Sequence, residues 1–165
     1  MRINRQKNWT LFSIFGMAYW FFGNLYEAIV FGPNWAVDDP KILEHLNAFF
    51  VKSSPTLYFI PMTLLAAISI WVLTFTNKIN AVKRDYRIAS VLALIITVMT
   101  SLIVGLILSN MFGAAFYDHP EKGSLYGRLW NMLNAVRLVL EGATIYYLFN
   151  SYRKLDKQTG EAVIK

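Results

Sequence analysis

The stretch that decides the fold is "LWNMLNAVRLVLEGATIYYLF", residues 129–149. It is long and apolar enough to be a transmembrane helix, which requires about 20 residues. It nevertheless contains Asn131, Asn134, Arg137 and Glu141. A charged side chain at the centre of a membrane span costs roughly 2.5–3.5 kcal/mol on insertion scales. Two charges placed four residues apart therefore indicate a helix whose polar face is turned toward other protein rather than lipid.

The rest of the chain also has the composition of an integral membrane protein. Of its 165 residues, 56% are hydrophobic and 16% are charged, whereas a soluble domain carries about 25% charged residues. Four apolar runs are each about as long as a bilayer span requires: residues 9–31, 57–76, 88–108 and 129–149. We therefore predict an all-α fold in which residues 1–165 form a single transmembrane domain, an antiparallel four-helix bundle.

The distribution of basic residues predicts the topology of this bundle. The four apolar runs separate five polar segments. Four basic residues lie in the second and fourth of these segments: Lys41, Lys52, Lys122 and Arg128. Eleven lie in the other three polar segments: Arg2, Arg5, Lys7, Lys78, Lys83, Arg84, Arg87, Arg153, Lys154, Lys157 and Lys165. The positive-inside rule places the side with the larger number in the cytoplasm, so both termini are expected there. The net charge of +6 is then explained by membrane topology, and we predict membrane lipid rather than nucleic acid as a partner.

The first external loop is predicted to contain a short amphipathic helix over about residues 40–50. Asp39 can cap this helix, and Pro40 suits its first turn. Apolar residues follow at helical spacing: Ile42, Leu43, Leu46, Phe49 and Phe50. We expect the helix to lie on the outer face of the membrane.

Several kinds of cofactor chemistry are disfavoured by the composition. The chain contains no cysteine, which excludes disulfides, thiolate metal sites, c-type haem attachment and thiol redox catalysis. Neither histidine lies in an apolar run, so a haem held by two histidines is excluded. His45 and His119 are both in external loops, where a metal between the loops stays an open alternative. Because the two histidines lack a ligand spacing, we predict no metal and no cofactor. The first apolar run is too long for a secretory signal and lacks its cleavage site, so we expect a retained helix.

Polar residues in the first and fourth runs are spaced to share a helix face. Trp130, Asn134, Arg137 and Glu141 follow one another at intervals of four, three and four residues. In the first run, one face carries Trp20, Asn24 and Glu27. Lipid favours neither polar stripe, so the two stripes are expected to face each other.

The depths of these residues predict a polar pocket in the outer half of the membrane. Counting about 1.5 Å per residue, Asn24 and Arg137 each lie roughly 10 Å below the outer surface. Pro61 in the second run frees a backbone carbonyl at a similar level. The pocket would hold two carboxyl groups, Glu27 and Glu141, and one guanidinium. Arg137 can pair with one carboxylate in a bidentate manner, which leaves the other as a candidate proton carrier or general base.

These considerations give a set of candidate site residues. The predicted catalytic residues are Glu27, Asn134, Arg137 and Glu141. The predicted substrate-binding residues are Trp20, Asn24, Tyr26, Pro61 and Trp130. Which carboxyl pairs with Arg137 stays open, and so does a purely structural role for Arg137 and Glu141 as a link between helices. Thr100 in the third run is predicted to be a packing residue.

The first apolar run ends in "GNLYEAIVFGPNW", residues 23–35, and the last helix carries Trp130, Asn134 and Arg137. In these features the chain resembles the anthrone-oxygenase-like family of small four-helix integral membrane proteins. The resemblance implies oxidation of a hydrophobic aromatic substrate with molecular oxygen, without metal or flavin, as in the characterised fungal members; most bacterial relatives have no assigned activity. We expect a multi-pass protein of the cell membrane, the inner membrane of a bacterium. No catalytic residue is carried over from the family.

The predicted pocket suits such chemistry. A carboxylate would remove a proton from an activated C–H or phenol, and Arg137 and Asn134 would stabilise the oxyanion that develops. Trp20, Tyr26 and Trp130 would provide a flat aromatic wall. Two alternatives stay open: a proton-coupled exporter of small molecules, and a lipid-binding or assembly protein without catalysis. The substrate and any homo-oligomeric state are not indicated by the sequence.

Overall fold

The computed structural model describes residues 3–49, 52, 55–113 and 118–163. Within these ranges all regular secondary structure is helical, which confirms the predicted all-α class. Arg2, Phe50 and Lys165, on which parts of the topology and loop predictions depend, lie outside the described residues.

Long helices account for most of the described chain, and shorter turns join them. In chain order the helical segments are α1 (Ile3–Tyr26), π1 (Glu27–Phe31), α2 (Gly32–Trp35), α3 (Pro40–Phe49), α4 (Pro55–Thr76), α5 (Asn80–Leu102), π2 (Ile103–Leu108), α6 (Ser109–Phe112), a 3-10 turn (Pro120–Lys122) and α7 (Gly123–Val163). The four long helices α1, α4, α5 and α7 each contain most of one apolar run. α7 continues well beyond the apolar run at residues 129–149 into a polar segment.

The four long helices pack side by side. α1 contacts α4 and α7, and α5 contacts the same two helices from the other side. At one end of the molecule, Gln6 Nε2 donates to Asn77 Oδ1 at 2.6 Å. At the same end, Lys154 Nζ donates to Asp85 Oδ2 at 2.7 Å. The start of α1, the α4–α5 connection and the polar end of α7 therefore lie together.

One apolar cluster fills the half of the molecule near this end. Its fully buried members include Met17, Ala66, Ile70, Ala89, Ala93 and Leu148. α1 and α4 approach closely here, because a Cβ at Gly16 would lie 2.8 Å from the Cβ of Ala66. Small residues therefore set the distance between α1 and α4.

A second apolar cluster occupies the opposite end. It contains Trp35, Leu43, Ile103, Ile107, Met111 and Trp130. α3 covers this cluster, because Leu43 is buried in it while Lys41 and Glu44 are exposed. The loop after α2 lies directly on α7, where the backbone of Gly127 contacts the carbonyl oxygen of Trp35.

The helix that begins with α1 widens into the π-helical turn π1 before it continues as α2. The N–H of Gly32 accordingly donates to the carbonyl of Glu27, five residues earlier. Pro33 gives a physical reason, since proline has no N–H and its ring collides with the carbonyl four residues before it in an α-helix. Glu27 is the first residue of this wide turn.

Two continuous helical stretches, Ile3–Trp35 and Asn80–Phe112, are long and apolar enough to cross a membrane. The apolar stretch Pro61–Thr76 in α4 is shorter. In α7, asparagine and charged residues interrupt the apolar run.

Candidate functional site

A buried polar network joins α1 to α7, and Asn24 lies at its centre. The Asn24 Nδ2 donates to Glu141 Oε1 at 2.6 Å, while its Oδ1 accepts from Arg137 Nη2 at 2.8 Å. The backbone carbonyl of Asn24 also accepts from Asn134 Nδ2 at 3.0 Å. All four side chains are buried. The structure therefore brings the polar faces of α1 and α7 into direct contact.

Neutral oxygen atoms surround the guanidinium of Arg137. Besides the bond to Asn24, Nε and Nη2 donate to Asn134 Oδ1 at 3.1 and 2.5 Å. On the α5 side, Nη1 donates to Thr100 Oγ1 at 3.4 Å. A buried cation is stable only if its donors are satisfied, and two amides and a hydroxyl fulfil this role here.

The predicted bidentate pair between Arg137 and a carboxylate is not present, and that detail of the prediction was wrong. The nearest approach to Glu141 is 4.0 Å, between Nε and Oε1. The reason is competition, because Asn134 occupies Nε and Nη2 and the amide of Asn24 stands between the two charges. Arg137 and Glu141 still attract each other, but the hydrogen-bonded path between them runs through Asn24.

Glu141 is hydrogen-bonded at only one of its two oxygens. Oε1 accepts from Asn24, whereas the buried Oε2 has no hydrogen-bond partner among the described residues. Leaving a buried charged acceptor unpaired costs more than the loss of an ordinary hydrogen bond. The network therefore leaves one oxygen of Glu141 unsatisfied among the described residues.

Glu27 lies on the same face but in different surroundings. It begins π1, its side chain is 8% exposed, and no hydrogen bond to its carboxyl group is formed within the described part of the chain. It is close enough to Arg137 for electrostatic attraction. Glu27 and Arg137 both line a narrow cleft of about 70 Å³. The cleft therefore presents an acidic group and a cation to whatever enters it.

All four long helices, together with π1 and π2, contribute to this cleft. The lining residues are Trp20, Asn24, Glu27, Phe59, Thr63, Thr100, Ile103, Val104, Leu108, Trp130 and Arg137. The predicted residues Trp20, Asn24, Glu27, Trp130 and Arg137 are thus brought together. Asn134 and Glu141 lie behind the cleft as part of the network.

The sequence prediction included the second run only through Pro61, and it named no site residue in the third run. Phe59, Thr63 and Thr100 line the cleft, so Thr100 is more than the packing residue that its pattern predicts. The signal that could have identified Thr100 is its depth, since a hydroxyl at the level of Arg137 is an obvious acceptor for a buried guanidinium.

Tyr26 and Pro61, predicted to bind substrate, do not line the cleft. The Tyr26 side chain is 56% exposed and its ring packs edge-on against Phe31. It stands two residues after Asn24, which turns it roughly 200° around the helix and away from the cleft. Pro61 is exposed and lies on α4 between the two cleft residues Phe59 and Thr63. Neither residue lines the cleft, so a substrate-binding role for either stays a prediction without support from the cleft.

Metal ligands are not gathered in the described residues. No group of three or more histidine, aspartate or glutamate side chains there could hold a metal ion. His119 Nδ1 lies 3.2 Å from Glu121 Oε1 near the start of α7, and His45 is an exposed residue of α3.

Comparison with models of known protein families, with curated proteins and with solved structures finds no match for this chain. The resemblance of residues 23–35 and of the last helix to the anthrone-oxygenase-like family therefore stays a prediction.

Proposed function

We propose that the protein is a multi-pass membrane protein in which all four long helices span the bilayer. Large apolar side chains are exposed on each of them; Phe15, Phe75, Val91 and Val139 are examples, and Phe75 is 85% exposed. Only 28% and 22% of the most apolar windows of the two candidate spans are buried in the protein. The core helix of a soluble protein would instead be mostly buried, and exposed apolar patches of this extent are rare on soluble monomers.

α7 fits this proposal despite its charges. Arg137 and Glu141 are directed into the network, so the outward face of the helix is left to residues such as Met132, Val136 and Val139. The basic residues at the ends of α1, α4 and α7 lie at one end of the molecule, which the positive-inside rule assigns to the cytoplasm. The cell membrane, and the inner membrane if the source is bacterial, is the proposed location.

At the cleft we propose an enzymatic function, the cofactor-independent oxygenation of a hydrophobic, anthrone-like aromatic compound. The observation that carries the proposal is that Glu27 and Arg137 line one buried cleft. A carboxylate and a guanidinium in one cleft suit a group that loses a proton while negative charge develops on an oxygen conjugated with it. Phenols and enolisable aromatic ketones are such groups.

In the proposed reaction, Glu27 accepts a proton from the CH₂ group next to the aromatic rings of the ketone. Arg137 stabilises the negative charge that develops on the ketone oxygen, and Asn24 and Asn134 hold the guanidinium in position. The carbanion adds to molecular oxygen, and the resulting peroxide anion takes the proton back. Loss of water from this hydroperoxide converts the CH₂ group into a second carbonyl, so that CH₂ and O₂ give C=O and H₂O.

The first testable prediction is that Glu27→Gln abolishes most of the turnover. Removal of a general base typically lowers the rate by about 10²–10⁴-fold. The measurement is anthrone-dependent oxygen consumption by protein in lipid nanodiscs, corrected for the rate with empty nanodiscs. Glu44→Gln, which changes an exposed acid on α3, should match the wild type. Equal rates for Glu27→Gln and wild type would contradict the proposed mechanism.

Two other classes of function are distinguished by what the purified protein carries and moves. Proton-driven uptake of a cationic dye into vesicles would support the exporter, although Arg137 in the cleft disfavours cations. A co-purified lipid without oxygen consumption would support a lipid-binding or assembly protein. A co-purified planar phenol or ketone, identified by mass spectrometry, would support the enzyme.

A further inference from the structure

A second cavity adjoins the polar cleft and is open to the surface of the helices. This groove has a volume of about 360 Å³ and runs between α4 and the α5–π2 helix. Its lining residues are Trp20, Thr63, Leu64, Thr97, Thr100, Ser101, Val104 and Gly105. Leu64, Ser101 and Gly105 are exposed at its mouth, whereas Trp20 is buried. The groove therefore leads from the outer surface of the helices inward to Trp20.

The groove and the cleft share part of their lining. Trp20, Thr63, Thr100 and Val104 line both cavities. The cleft alone, at about 70 Å³, is far smaller than the roughly 300–1,000 Å³ of ordinary ligand pockets. The groove is within that range. A ligand larger than a few atoms must consequently place its head in the cleft and its body in the groove.

The groove and the cleft differ in chemistry as well as in size. No charged residue lines the groove, and the hydroxyls of Thr97 and Ser101 donate to carbonyls of their own helix. The groove thus suits an uncharged apolar body, and the buried indole of Trp20 offers a ring surface for stacking. The cleft, with Glu27 and Arg137, suits a single polar head.

We propose that the α4–α5 groove is a lateral binding site, through which a planar aromatic compound with one phenol or ketone head enters from the bilayer and places that head between Glu27 and Arg137. This inference rests on the proposed function for the identity of the head group. Gly105 is its specificity-determining residue, because a Cβ there would meet no atom within 4 Å. A larger side chain at this position would extend into the space that the aromatic body requires.

A second apolar groove, called the rival groove here, could compete for the same ligand. It lies between α5 and α7, has a volume of about 450 Å³, and is lined by Met99, Leu102, Leu129 and neighbouring residues. It is larger, but none of its lining residues is charged and neither Glu27 nor Arg137 reaches it. If size alone selected the ligand, the ligand would bind in this rival groove.

The test uses 4-hydroxybenzophenone, which combines a phenol head with a photoreactive diaryl ketone. Full-length protein in lipid nanodiscs is irradiated with this probe, and the cross-linked peptides are identified by mass spectrometry. We expect cross-links on Leu64, Val104 and Gly105 that excess anthrone suppresses. Cross-links concentrated on the rival groove, or spread evenly over exposed leucines and insensitive to anthrone, would overturn the proposal.

Variants of α5 and π2 provide matched controls. Gly105→Phe should lower the anthrone-sensitive cross-linking roughly tenfold or more, as expected for added bulk in an apolar pocket. Leu94→Phe, at an exposed α5 residue outside both grooves, should leave the cross-linking unchanged. An unchanged elution profile verifies folding of each variant. If Gly105→Phe were cross-linked to the same extent as the wild type, the proposal would be overturned.

The two proposals fail in different ways. If cross-links map to the α4–α5 groove but Glu27→Gln consumes oxygen like the wild type, the binding site stands and the oxygenase proposal fails. If Glu27→Gln loses turnover while Gly105→Phe retains both turnover and cross-linking, the oxygenase stands and the lateral site fails.

Discussion

Asn24 is the residue on which the polar network depends most. Its side-chain amide donates to Glu141 and accepts from Arg137, and its backbone carbonyl accepts from Asn134. It thereby satisfies a buried acid and a buried cation at once. A buried polar group that loses its partner retains its full desolvation penalty.

The second prediction follows from this position. Asn24→Ala should lower the free energy of unfolding by about 1–3 kcal/mol, because it leaves Glu141 and Arg137 each short of a partner. Asn34→Ala is the matched control, since Asn34 is exposed and its side-chain amide donates to the Val30 carbonyl four residues earlier; its effect should stay within about 0.5 kcal/mol. Thermal unfolding in detergent micelles measures both. Equal effects would show that Asn24 is not the link in the network.

At the residue scale, helical spacing predicted which polar side chains meet. Asn24, Asn134, Arg137 and Glu141 do contact one another, because residues three and four apart share a face. The partner of Arg137 was not predictable from spacing. Amide and carboxylate oxygens lie at similar distances along α7, and only the packing of α1 against it decides which of them the guanidinium reaches.

At the element scale, two close approaches and one wide turn set the geometry of the site. Pro33 accounts for π1, which places Glu27 beside the cleft. Gly16 lets α1 approach α4, and Gly127 lets α7 lie directly against the Trp35 carbonyl. Pro33 was a visible signal in the sequence, but whether a proline ends, kinks or widens a helix depends on what the following residues pack against.

The third prediction compares two glycines in helical segments. A Cβ at Gly127 would overlap the Trp35 backbone oxygen, whereas one at Gly105 would meet no atom within 4 Å. Gly127→Ala should therefore destabilise the protein by about 1–3 kcal/mol, as overpacking does. Gly105→Ala should be neutral or stabilising by up to about 1 kcal/mol, because alanine is the better helix former. The melting temperatures of the two variants provide the measurement, and a stabilised Gly127→Ala protein would contradict the close approach of α7 to Trp35.

At the scale of the whole molecule, exposed basic residues distinguish one end of the helices from the other. Gln6, Asn77, Asp85 and Lys154 meet at one end through hydrogen bonds across the four long helices. The exposed lysines and arginines of the α4–α5 connection and of the polar end of α7 surround the same end. Anionic lipid headgroups and the positive-inside rule both favour the cytoplasmic side for such a surface.

The fourth prediction is the orientation in the membrane. A reporter that is active only in the cytoplasm, fused after Lys165, should be active, and one inserted after Asp38 in the loop between α2 and α3 should be inactive. A reporter that is active only outside the cytoplasm should give the reverse pattern at the same two sites. Activity of the external reporter at Lys165 would refute the proposed topology.

The sequence by itself determined the helical class and the positions of the long helices, because the length of each apolar run and the polar segments between the runs are local properties of the chain. It also determined which polar residues share a face, since that depends only on helical periodicity. The tertiary structure alone decided that Arg137 is held by neutral amides, that Tyr26 and Pro61 lie outside the cleft, and that Thr63 and Thr100 line it. It likewise decided that a groove between α4 and α5 adjoins the cleft. These features depend on the distance and rotation of one helix relative to another. Packing between residues that are far apart in the sequence sets both, so no local sequence pattern reveals them.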